Sequence, residues 1–251
     1  MTGPEILVHR TADVLAASAA ARLVTTLVDL QASKGSASVV LTGGGVGIAV
    51  LEQLRRSPAR EAVDWSRLDL YWGDERFVPA GDAERNELQA RETLLDHVPV
   101  DPARVHPMAA SDGAFGDDPD AAADVYARLL AEDASGRGDV PTFDIALLGV
   151  GPEGHVASVF PESPAVYETD ASVVAVRNCP KPPPTRVSLT LPTIRHASEV
   201  WLLAAGQGKA DALALALSGA GEIQLPVAGA TGRSRTLWLL DEPAAAKLDH
   251  R

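Results

Sequence analysis

"SASVVLTGGGVGIAVLEQLRR", Ser36 to Arg56, is the stretch on which the fold turns. Its opening run, Ser36 to Thr42, is small and apolar without alternation, the pattern of a strand buried on both faces. Three consecutive glycines, Gly43, Gly44 and Gly45, follow at once, and "IAVLEQLRR" reads as a helix. A strand, a glycine loop and a helix in that order open a βα unit.

The same alternation continues on both sides. Upstream, a helix is expected from about Ala12 to Ala32, with Val14, Leu23, Leu27 and Leu30 among its buried residues and Gly35 beyond its end. Downstream, Arg67 to Asp74 reads as a second strand, a helix follows from about Ala83 to Leu95, and Val98 to Asp118 reads as a surface connection rich in Pro, Asp and Gly. A helix over Pro119–Ala134 and a strand over Phe143–Val150 come next, then a short strand over Ala171–Val176. A proline-stiffened loop from Cys179 enters another strand or helix. "EVWLLAAG", the helix "KADALALALS" and "TLWLLD" complete the chain. Alternating strands and helices predict an α/β fold, a mostly parallel sheet with helices on both faces. With no internal repeat and no low-complexity linker, residues 1–251 are expected to form a single α/β domain.

Bulk properties narrow the function. The formal net charge is −12, which argues against nucleic acid as a partner, because phosphate backbones demand a basic field. A small phosphorylated ligand is still admissible, since a few local cations dominate at short range. Cys179 is the one cysteine, so there is no intrachain disulfide and no Cys-based zinc cluster, and a cytoplasmic, reducing location is expected. "MTGPEILVHR" shows no secretory signal, and Ala12 to Leu30 carries Asp13, Arg22 and Asp29, which suits an amphipathic helix and not a membrane span.

In parallel sheets, ligands bind outside the carboxyl ends of the strands. Four strand-end segments carry glycines or charges. In "TGGGVG", Thr42 to Gly47, backbone amides and the following helix N-terminus can cradle an anion; a tight turn alone would not need three glycines. It is neither a Walker A loop nor a G-x-G-x-x-G fingerprint. In "WGDER", Asp74, Glu75 and Arg76 form a surface ion-pair trio or a site, with Arg76 clamping a phosphate or holding Asp74. In "GVGPEGHVASVFPE", Gly149, Gly151 and Gly154 turn the chain sharply and Glu153 and His155 flank the last of them. His155 is either a structural residue on the turn or, as its place at a strand end favours, a neutral imidazole that accepts a proton while a carboxylate orients it. The fourth group is "KPPPTR", Lys181 to Arg186, with Lys209 in "GQGKAD". A lysine in a first helical turn opposes the helix dipole, which makes sense if it meets a bound anion; otherwise both segments simply carry solvated surface charges. His9, His97, His106, His196 and His250 show no metal-binding spacing, and there is no G-x-S-x-G elbow, so neither a metal nor a serine nucleophile is indicated.

Taken together, "LTGGGVG", "YWGDERFVP", "LLGVGPEGHVASVFPE", "KPPPTRVSLTLPTI" and "LLAAGQGKADAL", in that order along nearly the whole chain, resemble the 6-phosphogluconolactonases. The resemblance implies a Rossmann-like α/β domain shared with glucosamine-6-phosphate deaminases. It implies hydrolysis of 6-phospho-D-glucono-1,5-lactone to 6-phospho-D-gluconate, the second step of the oxidative pentose phosphate pathway, with no metal and no cofactor. It places the general base on His155; Glu153, which could orient the imidazole, and Asp74 are the carboxylates expected with it in the catalytic group. Arg76, Arg186 and Lys209 become the expected binders of phosphate and sugar oxygens, beside Gly43, Gly44, Gly45 and Gly154. Two departures stand out. Glu153 and Val156 replace the commoner Asp and Thr around Gly-His, and the glycine loop reads Gly45-Val46-Gly47 where the family often carries a hydroxyl or arginine.

Two other readings are a deaminase on the same fold, which lacks support because "ASVFPE" follows where Asn-Glu-Pro would be needed, and a non-catalytic sugar-phosphate sensor. The partner expected is a small sugar-phosphate lactone, with no membrane; the oligomeric state is open, a monomer being favoured.

Overall fold

A computed structural model of the chain describes residues 5–136 and 138–248; His250 lies outside the described residues. In chain order the elements are β1 (Glu5–His9), α1 (Ala12–Lys34), β2 (Ala37–Leu41), α2 (Gly44–Arg56), β3 (Leu68–Trp72), β4 (Asp74–Arg76), α3 (Asn86–Thr93) and α4 (Pro119–Asp133). They continue with β5 (Ile145–Gly149), β6 (Val173–Val176), β7 (Arg186–Leu189), α5 (Leu191–Ile194), β8 (Glu199–Ala204), α6 (Ala210–Leu217), α7 (Pro226–Gly229) and β9 (Arg235–Asp241).

The main sheet has strand order β1-β9-β8-β5-β2-β3, and every pair in it is parallel. Its central strands alternate between two apolar cores, as the two-residue period of a strand requires. Leu237 and Leu239 of β9, Trp201 and Leu203 of β8, and Ile145 and Leu147 of β5 face one core, under α1 and α2. Trp238, Leu240, Leu202 and Leu148 face the other, which α4, α6 and the second sheet cover. That two-sided burial explains why these strands read as unbroken hydrophobic runs.

From β2 the chain steps outward to β3, then returns to the opposite side of β2 as β5. Strand order therefore reverses between β2 and β5, where an open α/β sheet forms a crevice. Pairing there is brief: Val39 opposes Ile145 and Val40 opposes Ala146. The Gly149 N–H then donates to the Thr42 hydroxyl at 3.1 Å, bridging the strands as they part.

The second sheet, β4-β7-β6, is antiparallel and was not foreseen as a separate layer. Gly73 joins the two sheets: its N–H donates to Leu41 O in the main sheet and its carbonyl accepts from Leu189 N in the small one. The expected strand Arg67–Asp74 thus ends at Trp72, and "DER" belongs to a different sheet.

Other differences have local causes. The strand β1 went unrecognised because it is short and half exposed, lying at the sheet's edge beside β9. In α1, Thr11 caps the start, its hydroxyl accepting from Val14 N, and the buried stripe runs through Leu15, Ala19, Leu23 and Leu27. Val14 itself is exposed, a correction to the expected core, because it lies one residue off that stripe. Gly35 closes the helix at φ +86°. The connection after Val98 is not all surface: Val105 pairs with Leu70 and Met108 is buried. Among the described residues, no helix is long and apolar enough to cross a membrane.

Candidate active site

At the β2/β5 crevice lies a cavity of about 420 Å³, lined by the glycine loop, Asp74, Arg76, Gly151, His155, Lys181, Arg186 and Lys209. It brings together residues from all four strand-end segments. α2 begins inside the glycine loop, at Gly44, so Gly44, Gly45 and Gly47 form its first turn. That helix has no side-chain N-cap and no acidic residue in its first turn, leaving N-terminal amides and the positive end of the dipole toward the cavity. Gly47 is required by space: a Cβ there would come within 2.5 Å of Thr42 O.

His155 is held by a tight loop after β5. The Gly151 N–H donates to His155 O at 2.8 Å and the Gly154 N–H to Gly151 O at 3.0 Å, with Gly154 at φ +82°. The imidazole lies against the Gly151 backbone, and the Phe160 ring packs on it with centroids 4.5 Å apart. Nδ1 is 3.2 Å from Glu153 Oε1 but is not aligned for a hydrogen bond, so the contact is electrostatic, a close charge beside a buried nitrogen. Burial pushes the imidazole below its usual pKa of 6.5; Glu153 and Asp74 work against this, and Lys181 adds to it. The ring is therefore neutral near pH 7 and able to accept a proton. Burial acts to raise the Glu153 carboxyl, but its own backbone amide, His155 and Lys181 together hold it below the ordinary range. The longer Glu side chain does reach the imidazole.

Asp74 is buried and well anchored. Its Oδ2 accepts from the Ser158 hydroxyl at 2.6 Å and lies 3.8 Å from Arg186 Nη1. The antiparallel register of β4 and β7 sets Asp74 opposite Ser188 and Arg76 opposite Arg186, which is why both arginines reach one cavity. Neither arginine is wholly free. Arg186 donates to the carbonyls of Lys181, Pro182 and Pro183, clasping the proline loop, and Arg76 donates to Glu84 O. Lys209 follows Gly206, whose N–H is pinned by the buried Asp241 carboxylate at 3.0 Å. Its ammonium has no acceptor among the described residues, and burial followed by the nearby Lys181 charge lowers its pKa.

Several supporting residues escaped the sequence reading. Asn86 donates to Asp74 O at 2.8 Å, and its carboxamide fills the space beside Gly43, where a Cβ would sit 1.8 Å from Asn86 Oδ1. Glu75 accepts from the backbone N–H groups of Arg76, Asn86 and Glu87, capping α3 from a distance, with Arg85 buried beside it. Burial raises the Glu75 carboxyl to about 7 despite Arg85 and those amides. Ser158 stands in the His155 motif, so its position offered a signal. Asn86 sits in a polar run that offered none. Among the described residues, no group of three or more His, Cys, Asp or Glu could hold a metal ion.

Comparisons with known proteins match the chain over nearly its whole length. The family model described as glucosamine-6-phosphate isomerases/6-phosphogluconolactonase matches residues 10–238. The chain is 62% identical over 247 residues to a 6-phosphogluconolactonase of Streptomyces coelicolor, covering 98% of this chain and 95% of that one. It is 55% identical over 236 residues to a 6-phosphogluconolactonase of Mycobacterium tuberculosis, covering 94% and 95%. Among solved structures, 6-phosphogluconolactonase from Trypanosoma cruzi superposes with a TM-score of 0.85 at 28% identity, covering 98% of this chain and 97% of that one.

Proposed function

The chain belongs to the glucosamine-6-phosphate isomerase/6-phosphogluconolactonase family, and from that premise we propose that it hydrolyses 6-phospho-D-glucono-1,5-lactone to 6-phospho-D-gluconate, with His155 as general base and no metal. The observation that carries this reading is one cavity holding a neutral imidazole together with a helix N-terminus that lacks a side-chain cap and an ammonium without an acceptor among the described residues. One end can move a proton and the other can hold an anion.

In this mechanism Nε2 of His155 takes a proton from a water as its oxygen attacks C1 of the lactone. Glu153, beside Nδ1, stabilises the imidazolium that forms. The tetrahedral oxyanion then collapses, the C1–O5 bond breaks, and the proton on the imidazolium passes to O5. Lys209 and the amides at the start of α2 bind the phosphate, with the N–H groups of Arg76 and Arg186 that the loops leave free completing the sugar site. Holding the remote phosphate fixes C1 beside His155. Asp74, tied to Ser158, keeps the imidazole more basic than burial alone would allow.

The test is a coupled assay that generates the lactone from glucose 6-phosphate and compares its loss with spontaneous hydrolysis. The expected result is enzymatic acceleration that falls about 10²- to 10⁴-fold in His155→Ala. Full turnover in that variant would overturn the assignment, and release of ammonia from glucosamine 6-phosphate would favour the deaminase reading.

A further inference from the structure

The Glu153 carboxylate serves two neighbours at once. Oε1 lies 3.2 Å from His155 Nδ1, and Oε2 accepts from Lys181 Nζ at 3.4 Å. Lys181 also lines the cavity, where its charge acts on Lys209, an ammonium without an acceptor among the described residues. Two cations thus face one space beside the N-terminus of α2, and Glu153 is the carboxylate that offsets them.

Lys181 is fixed at its backbone and free at its tip. Arg186 Nη2 donates to Lys181 O at 3.1 Å, so the loop cannot drift. The side chain is 45% exposed, and a half-solvated Lys–Glu pair is weak. A flexible four-carbon stem lets the ammonium change partner without moving the chain. A bound dianion offers it a stronger one.

We propose that Lys181 is a positioning residue: the substrate's anionic group draws its ammonium off Glu153, leaving that carboxylate to His155 alone. The inference rests on reading the cavity as a sugar-phosphate lactone site. Its consequence is a base that gains proton affinity when the phosphate arrives. The charged groups acting on His155 are Glu153 from its own loop, Asp74 from β4 and Lys181 from the proline loop. The first two favour the protonated ring and Lys181 opposes it. Arg186, close to Asp74, is held by its carbonyl contacts and stays in place. Withdrawing Lys181 therefore raises the proton affinity of His155. An unphosphorylated lactone cannot trigger the exchange.

The deciding measurement is the titration midpoint of His155 by NMR in histidine-labelled protein, free and saturated with 6-phospho-D-glucitol, which keeps the phosphate and carries an uncharged hydroxyl at C1. His155→Gln assigns the resonance. In the wild type the midpoint should rise by about half a pH unit or more on binding. In Lys181→Met the free midpoint should already be raised, the glucitol phosphate should add little, and KM for the lactone should rise about tenfold. Lys181→Arg, which keeps the charge, should restore a low free midpoint. A free Lys181→Met midpoint equal to the wild type's would overturn the inference, as would a full-sized rise on binding in that variant. Glucitol phosphate that binds without moving the wild-type midpoint defeats this inference alone; a wild type that does not bind it defeats the reading of the site as well.

Discussion

Gly151 lacks a side chain because the imidazole of His155 occupies the place one would take: a Cβ there would fall 1.9 Å from Nδ1. Gly151→Ala should therefore displace the base without removing it. Since misplacing a reacting group by about 1 Å costs about 10²-fold in rate, kcat should fall by that order while KM, set at the phosphate end, changes little. Steady-state kinetics checks this, and a variant with wild-type kcat would show the ring is free to move aside. His155 also predicts a pH profile. Burial holds its pKa below 6.5, so the neutral base persists to lower pH and the acid limb of kcat/KM should have its midpoint under that value. Asp74 favours the protonated ring, so Asp74→Asn should move the acid limb further down. An upward move would contradict the charge assignment. Residues such as His155, Arg76 and Lys209 were legible in the sequence because each follows a strand and sits among glycines or charges. Asn86 was not, since its work depends on Gly43 and Asp74, which only folding brings beside it.

α3 shows how an element can be held by a group outside itself. Its N-cap residue, Arg85, makes no capping hydrogen bond, and Glu75 of β4 supplies the acceptors instead, binding the amides of Asn86 and Glu87. Burial raises the Glu75 carboxyl from 4.5 to about 7. Between those values the folded chain keeps a proton that the unfolded chain has released, so this group's contribution to stability falls as pH rises through the window. Glu75→Gln removes that titration. Denaturant midpoints measured from pH 5 to pH 7.5 should then lose less stability with rising pH in the variant than in the wild type, whereas parallel curves would show that Glu75 stays charged throughout. The long central strands and α1, α2 and α4 were readable because burial on both faces, or one helical stripe, writes itself into local sequence. The antiparallel pairing of β4 with β7 was not, because it joins segments over a hundred residues apart. Gly73, which passes the chain between the two sheets, looks in sequence like any turn glycine.

For the whole molecule, alternation of strands and helices conveyed the α/β architecture, while the reversal of strand order that creates the crevice lies in the connections and leaves no local mark. The charge distribution has a similar split between local and global. The chain as a whole carries −12, yet Lys181, Lys209, Arg76 and Arg186 outnumber Glu153 and Asp74 around the cavity. A phosphorylated substrate is repelled by the first field and attracted by the second. At about 0.01 M salt the screening length is about 30 Å, so the approaching anion senses most of the protein. At about 0.15 M it shrinks to about 8 Å, and only the groups at the cavity mouth are felt. Sodium chloride should therefore raise kcat/KM between those two concentrations, where a protein with a favourable overall field would lose it. Above about 0.15 M the local attraction is screened in turn, and kcat/KM should pass through a maximum and decline. Initial rates at substrate well below KM, measured across this range, test the sequence of effects. A decline from the lowest salt onward would mean that the cavity cations already govern the field at long range, and that the surplus of carboxylates lies on surfaces the substrate never approaches.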